Sequence, residues 1–422
     1  MYSLIAAAST AHDHQRASKP RAARAQQQPR SETMAPTPVA LVRVESPQTA
    51  VPTRAVEPGR TRRIAVAAPP LPAAALQRRT RVVLYYRTGG GVDGGGAPAP
   101  ARLWEEVCWA KESLSEALAD HPEMAGRLRR REDGSWEVKL NDAGMRFAQA
   151  TAEATLGEFL AAVRDDKDRA RSWEAALAPW ADVNAEDPDM CALFYMQLTR
   201  FQGDGGYAVG VSCSLMLSDP LSLTRFLLSW ARTHAEMKAR SELVTHPLMQ
   251  YASYFQRPMA ARALTKSIPL DAFAGADDGH AAETVLFRAR PATTGAGAPD
   301  DHRALAGACV AQARERFGMG KAPAQFSVVV VAGGDGRGGT SVERCTADGQ
   351  PDSSCGGGGQ YKLEVAQWQE LGLADMVLRD SKPVHVSFGI VSGGDEGLVV
   401  VMPDGDAGEF LVAATIRLLP SE

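Results

Sequence analysis

Two hydrophobic periods alternate along the chain. RVVLYYR (81–87) is a near-continuous apolar run of strand length and predicts a buried strand. From Leu103 to Arg131 the period becomes helical: Leu103, Val107, Leu114, Leu118, Met124 and Leu128 recur on one face, interrupted by Pro122. GSWEVKLNDAGMRFAQATA (134–152) alternates and predicts a hairpin with NDAG as its turn. TLGEFLAAVRDD (155–166) predicts a short helix. ALFYMQLTRF (192–201) and YAVGVSCSLML (207–217), joined by the turn GDGG (203–206), predict an antiparallel pair. In the segment that follows, Asp219 suits a helix N-cap and Pro220 the first helical position. Leu223, Phe226, Leu227 and Trp230 then form one apolar stripe.

Before these elements, residues 34–80 are rich in Pro, Ala and Arg, with short β-like pieces VALVRV (39–44) and RRIAVAA (62–68). TGGGVDGGGAPAPAR (88–102) reads as a loop. After them, residues 240–300 have no clear period. HRALAGACVAQARERFG (302–318) predicts a helix and AQFSVVVVAGG (324–334) a buried strand. Residues 333–360 are low in complexity and read as an exposed loop. The last 60 or so residues predict a helix over 365–378 and three strands over 382–391, 396–403 and 409–418. Strands mixed with helices in both halves predict an α/β or α+β class with two sheets. A length of 422 residues exceeds what one core usually covers and predicts two domains.

Composition changes this picture little. A net charge of -4 gives no reason to expect nucleic acid as partner. No apolar run approaches 18 residues, so the sequence predicts no membrane-spanning helix. Six cysteines lie scattered at 108, 191, 213, 309, 345 and 355, without a CxxC. That pattern suggests free thiols in a reducing compartment, and no metal site is predicted. Residues 1–33 stand apart. Their first 30 residues hold five Lys/Arg and one acid, which reads as a disordered or mis-assigned leader, with an organelle transit peptide as the alternative.

The order of motifs resembles that of the BAHD acyltransferases of plants, which move an acyl group from coenzyme A to an alcohol or amine. The similarity is carried by LYY (84–86), KESLSEALADHPEMAGRL (111–128), LNDAGMRFAQATA (140–152) and the run from Met196 to Ala231, MQLTRFQGDGGYAVGVSCSLMLSDP followed by a Phe and Trp-Ala. It is strong in the N-terminal half and weak after about residue 240. The resemblance implies a two-domain, chloramphenicol-acetyltransferase-like α/β fold. Each domain, 34–240 and 241–422, would be a mixed sheet with helices, and a channel would run between them. It further implies acyl-CoA as cosubstrate, no bound cofactor, a monomer, and a cytoplasmic protein.

The departures bear on chemistry. The family's catalytic histidine, which takes the acceptor's proton, falls on Leu215; its loop-structuring aspartate falls on Asp219; the following glycine falls on Pro220. Leucine cannot accept a proton, and losing a general base typically costs about 10²–10⁴-fold in rate. The family's second signature, DFGWG before Lys-Pro, is DMVLRDS (375–381) before Lys382-Pro383. Among substitutes, His385 is the candidate base. His234 lies about four helical turns past Asp219, roughly 22 Å away. Cys213 and Ser214 lack an adjacent base in the sequence, and a buried cysteine explains Cys213. Asp219 is equally explained as a helix cap. GDGG (203–206) and GGDGRGG (333–339) read as turns rather than phosphate cradles. RLRRR (127–131) reads as a solvated helix end.

Two functions follow from the resemblance. One is a base-less member that binds an acyl-CoA, an acyl chain or a protein partner such as a fatty-acid elongase. This is the pattern of the eceriferum/glossy group, which dispenses with the second signature and assists very-long-chain fatty-acid elongation for cuticular wax, with association at the endoplasmic reticulum surface through a partner. The other is an active acyl-CoA-dependent O- or N-acyltransferase with a non-standard base. Whether the chain is an enzyme stays open at this level.

Overall fold

The computed structural model describes residues 41–67, 69–87, 99–140, 143–241, 266–269, 282–291, 302–318, 325–331, 339–346, 361–405 and 408–417. The leader at 1–33, the glycine-rich loop at 88–98 and the GGDGRG stretch over 333–338 therefore lie outside the described residues.

Alternation produces strands and these form two mixed sheets. The first runs, in chain order, through β1 (Leu41–Ala50), β3 (Arg79–Tyr86), β6 (Met145–Ala152), β7 (Phe194–Phe201), β8 (Tyr207–Ser214), β9 (Lys266–Pro269) and β14 (His385–Val391). Its spatial order is β14-β3-β8-β7-β6-β1-β9, with only β6 and β7 parallel. The second holds β2 (Thr61–Val66), β4 (Arg127–Arg130), β5 (Trp136–Lys139), β10 (Ala282–Pro291), β11 (Gln325–Val331), β12 (Thr340–Thr346), β13 (Tyr361–Ala366), β15 (Gly397–Pro403) and β16 (Phe410–Arg417). Its order is β13-β10-β16-β15-β11-β12-β2-β5-β4, with parallel β11–β15 and β12–β2 pairs. Each sheet takes strands from both halves of the chain. The expected architecture of mixed sheets with helices is the one observed.

The helices are α1 (Ala99–Asp120), α2 (Leu156–Asp165), α3 (Lys167–Leu177), α4 (Pro220–Ser241) and α5 (His302–Arg316). Residue parity on the first sheet sorts its side chains between two cores. Val82, Leu84 and Tyr86 join the large core with α1, α4 and one face of the second sheet. Val83 and Tyr85 face α2 and α3. On the second sheet, Leu398, Val400 and Met402 point into the large core, while Val399 and Val401 pack with α5. α1 and α4 are joined by polar atoms as well. The Ser113 hydroxyl donates to the Ala110 carbonyl, receives Trp230 Nε1–H at 3.0 Å and lies 3.0 Å from His234 Nδ1. Burial lowers the His234 pKa, so this histidine serves packing as a neutral ring.

Several expectations are corrected. GSWEVKLNDAGMRFAQATA is no hairpin: β5 and β6 lie in different sheets. Each flank pairs elsewhere, β5 between β2 and β4, and β6 between β1 and β7, and Asn141 and Asp142 of the NDAG stretch lie outside the described residues. RLRRR is not a helix end. The helix stops at Asp120, a 3-10 turn spans Pro122–Ala125, and Arg127–Arg130 forms an edge strand whose Arg129, with Arg131 beyond it, grips the buried Glu137 of β5. The low-complexity stretch contains a real strand, β12, and the expected helix at 365–378 is instead two 3-10 turns, Trp368–Leu371 and Leu373–Asp375. α3 was not foreseen, because its arginines and acids obscure a single apolar edge.

Candidate functional site

β8 is buried over its whole length and ends at Ser214. The strand was expected to continue to Leu217, but the chain turns at 215–217. Serine drives that turn: Ser214 Oγ accepts from Met216 N at 3.2 Å, and its carbonyl accepts from Leu217 N at 2.9 Å and Ser218 N at 3.0 Å. The Leu215 amide donates to the Arg78 carbonyl at 3.0 Å.

Leu215, Met216 and Leu217 are all fully buried in the large core. The position in question thus holds an apolar side chain enclosed by apolar neighbours. It can neither accept a proton nor reach solvent.

Asp219 is buried and its carboxylate is spent on the helix. Oδ1 accepts from Leu221 N at 2.8 Å and Ser222 N at 2.9 Å, and Oδ2 accepts from Ser222 Oγ at 2.6 Å. These satisfy amides that the start of α4 would otherwise leave orphaned. Asp219→Ala is expected to cost about 1–2 kcal/mol of stability while Asp219→Asn costs only a few tenths. Urea unfolding midpoints of the two variants check this; equal losses would contradict the cap.

A residue that sequence reasoning passed over holds this turn from below. Arg62 of β2 donates to the carbonyls of Met216 at 3.0 Å and Leu217 at 2.5 Å. Burial pulls its pKa down, while Glu123 and Asp219 pull it back up. Glu123 lies 3.5 Å from His121 Nδ1, and the His121 ring meets Phe226 of α4 edge-on. Arg62 sits in a short β-like piece among other arginines, so only the sheet pairing of β2 singles it out.

The other candidates are not gathered here. His385 opens β14 opposite Tyr85, its ring 5.6 Å from the tyrosine ring. Tyr85 packs with α2 and α3, on the opposite face of the first sheet from the core that encloses Leu215. The structure therefore does not bring His385 to Leu215, and burial lowers its pKa, with Arg164 adding to the effect. Cys213 is fully buried and burial pushes its thiol far above the ordinary range, which removes the thiolate a nucleophile needs. GDGG is a turn whose Asp204 caps α2, accepting from Leu156 N at 3.1 Å and Gly157 N at 3.0 Å. A carboxylate thus already occupies that helix start.

The segment 375–381 has a structure of its own. Tyr86 and Tyr207 stack at 4.8 Å, and their hydroxyls donate to the carbonyls of Met376 at 3.2 Å and Leu378 at 3.1 Å. Arg379 and Asp380 take positive φ, 51° and 59°, a region that glycine enters more easily. Among the described residues no group of three or more His, Cys, Asp or Glu could hold a metal ion. No helix among them is long and apolar enough to cross a membrane.

A family model described as the Transferase family matches residues 105–276. The span contains most of α1, the NDAG segment, β7, β8 and the Ser214–Asp219 turn. Protein ECERIFERUM 26-like from Arabidopsis thaliana is 30% identical over 151 residues, 35% of this chain and 34% of that protein. Agmatine hydroxycinnamoyltransferase 1 from Oryza sativa subsp. japonica is 34% identical over 160 residues, 37% of this chain and 31% of that protein. The matched region thus spans about a third of the length of these relatives. Among solved structures, vinorine synthase aligns over 89% of this chain and 94% of its own, with 16% identity and a TM-score of 0.41. With LYY, AGRL, NDAG and the β7–β8–α4 segment in the order of the BAHD transferases, residues 105–276 are similar to the Transferase family.

Proposed function

We propose that this chain is a base-less BAHD protein that binds an acyl-CoA or its acyl chain without turning it over efficiently, and that it acts as an accessory to acyl-chain metabolism. The observation that carries the reading is Leu215: fully buried, apolar, and at the family's proton-accepting position. Asp219 supports it, because its hydrogen bonds are all accounted for by helix capping. The similarity to an ECERIFERUM 26-like protein favours the accessory role and, with it, a place in very-long-chain fatty-acid and cuticular wax formation. An elongase is the partner class this role requires. The similarity to hydroxycinnamoyltransferases makes a CoA thioester the ligand class to test.

Equilibrium dialysis against a series of acyl-CoAs of rising chain length tests the reading. Saturable binding, with the thioester recovered intact, is the expected result. Failure to bind any acyl-CoA would remove the acyl-binding role and leave only a scaffold.

A further inference from the structure

A cavity of about 410 Å³ lies along the free edge of β14, between α3 and the ends of β10 and β16. That volume is in the range of small-molecule sites. β14 pairs only with β3, so its outer backbone edge borders the cavity with no strand beyond it. Phe388 and Ile390 form an apolar wall, and Trp368 stacks behind Phe388 at 4.9 Å. Ser387 and Ser392 also line the cavity, Ser387 hydrogen-bonded to Glu174 and the Ser392 hydroxyl donating to the Asp395 carbonyl at 3.3 Å.

The charges lining the cavity are mostly committed to one another. Lys167 pairs with Glu283 at 2.7 Å, and Asp395 with the buried Arg78 at 2.7 Å. Glu174 receives the Tyr85 hydroxyl at 3.3 Å and feels the Arg81 guanidinium. Arg417, at the end of β16, has no side-chain partner among the described residues. Burial also holds the Glu174 carboxyl above its ordinary range, which lowers the negative charge facing the cavity.

The geometry points to a second ligand site, separate from the family's acyl-transfer position: a pocket for a small organic monocarboxylate, its carboxylate on the Arg417 guanidinium and its apolar body against Phe388 and Ile390. A guanidinium matches a carboxylate by two parallel hydrogen bonds. A dianion such as phosphate suits the pocket less, because Glu174 and Glu283 also line it. The inference does not depend on the function proposed above, since none of its residues belongs to the Ser214–Asp219 turn.

Isothermal titration of the full chain with phenylacetate and with phenylacetamide, its uncharged analogue, tests the site. The acid is expected to bind at least about tenfold more tightly than the amide, a difference of about 1.4 kcal/mol. Arg417→Gln should weaken acid binding by about tenfold or more and leave amide binding unchanged, with an unaltered thermal midpoint. Arg417→Lys, which keeps the charge without the fork, should fall between. If the glutamine variant fails to fold, the acid–amide comparison on the wild type still decides. Equal binding of acid and amide, tighter binding of inorganic phosphate than of phenylacetate, an Arg417→Gln variant that binds like wild type, or no saturable phenylacetate binding at millimolar concentration would each overturn the inference.

Discussion

Arg78→Ala is expected to destabilise the protein by about 3–5 kcal/mol, among the largest effects of any single substitution. Arg78 is 1% exposed and joins the two sheets. Its Nε donates to Asp395 at 2.7 Å, at the turn between β14 and β15, and its guanidinium donates to Ser327 Oγ of β11 at 2.7 Å. Its own backbone carbonyl receives the Leu215 amide. Burial lowers its pKa, and the Asp395 carboxylate works against that shift, so the pair holds together only as a pair. Truncating the arginine leaves Asp395 without its counter-charge and opens a void at the seam between the sheets. An Arg78→Met, Asp395→Asn double variant should recover part of the loss, because it removes the stranded charge and refills the space. Urea denaturation of the three proteins measures this. A loss below about 1 kcal/mol for Arg78→Ala would contradict the reading of Arg78 as an inter-sheet tie.

Gly210→Ala should be comparably severe, at about 3 kcal/mol or more. Gly210 lies in the middle of β8, where the end of α3 touches the sheet. A methyl group there would stand 2.0 Å from the Leu177 carbonyl oxygen and 2.5 Å from its carbon. Backbone cannot yield as a side-chain tip does. The helix end is also pinned in place: Gln197 of β7 donates to the Ala176 carbonyl at 3.0 Å and Ser212 of β8 to the Ala178 carbonyl at 2.8 Å. Moving α3 to admit the methyl would break both bonds and leave C-terminal carbonyls buried without donors. Circular dichroism melts and urea midpoints check this. A variant as stable as wild type would show that α3 slides freely over β8, against the pinning described here.

How much of this was legible in the sequence depends on whether an element is decided locally. The β7–β8–α4 unit was, because alternation, the GDGG turn and the Asp219-Pro220 helix start all agree with one another. α2 was legible for the same reason, with Thr155 and Glu158 forming a capping box that the structure shows on both sides. The pairing of β5 was not. Its partners β2 and β4 lie outside the apparent hairpin, and strand register is set by which face finds a core rather than by proximity along the chain. Strand β12 was hidden because TSVERCT is polar at most positions without alternating and is flanked by glycine-rich sequence, although its parallel pairing with β2 completes the second sheet.

At the site, the sequence singled out Leu215 and Asp219, since both stand at fixed positions in a recognisable motif. It overlooked Arg62, whose role depends on β2 passing beneath the turn. It offered His385 as an alternative base, but chain position says nothing of which face of a strand a residue occupies. Tyr85 across the strand places His385 with α2 and α3, away from Leu215.

The central claim is that the proton-accepting position is emptied. Thiol release from acyl-CoAs by the purified wild type, in the presence of mixed amine and alcohol acceptors, tests it most directly, with a hydroxycinnamoyltransferase relative run under the same conditions. A rate about 10²–10⁴-fold below that of the relative is the predicted result. A rate within about tenfold of the relative would contradict the account and require a base that the buried Leu215 cannot supply.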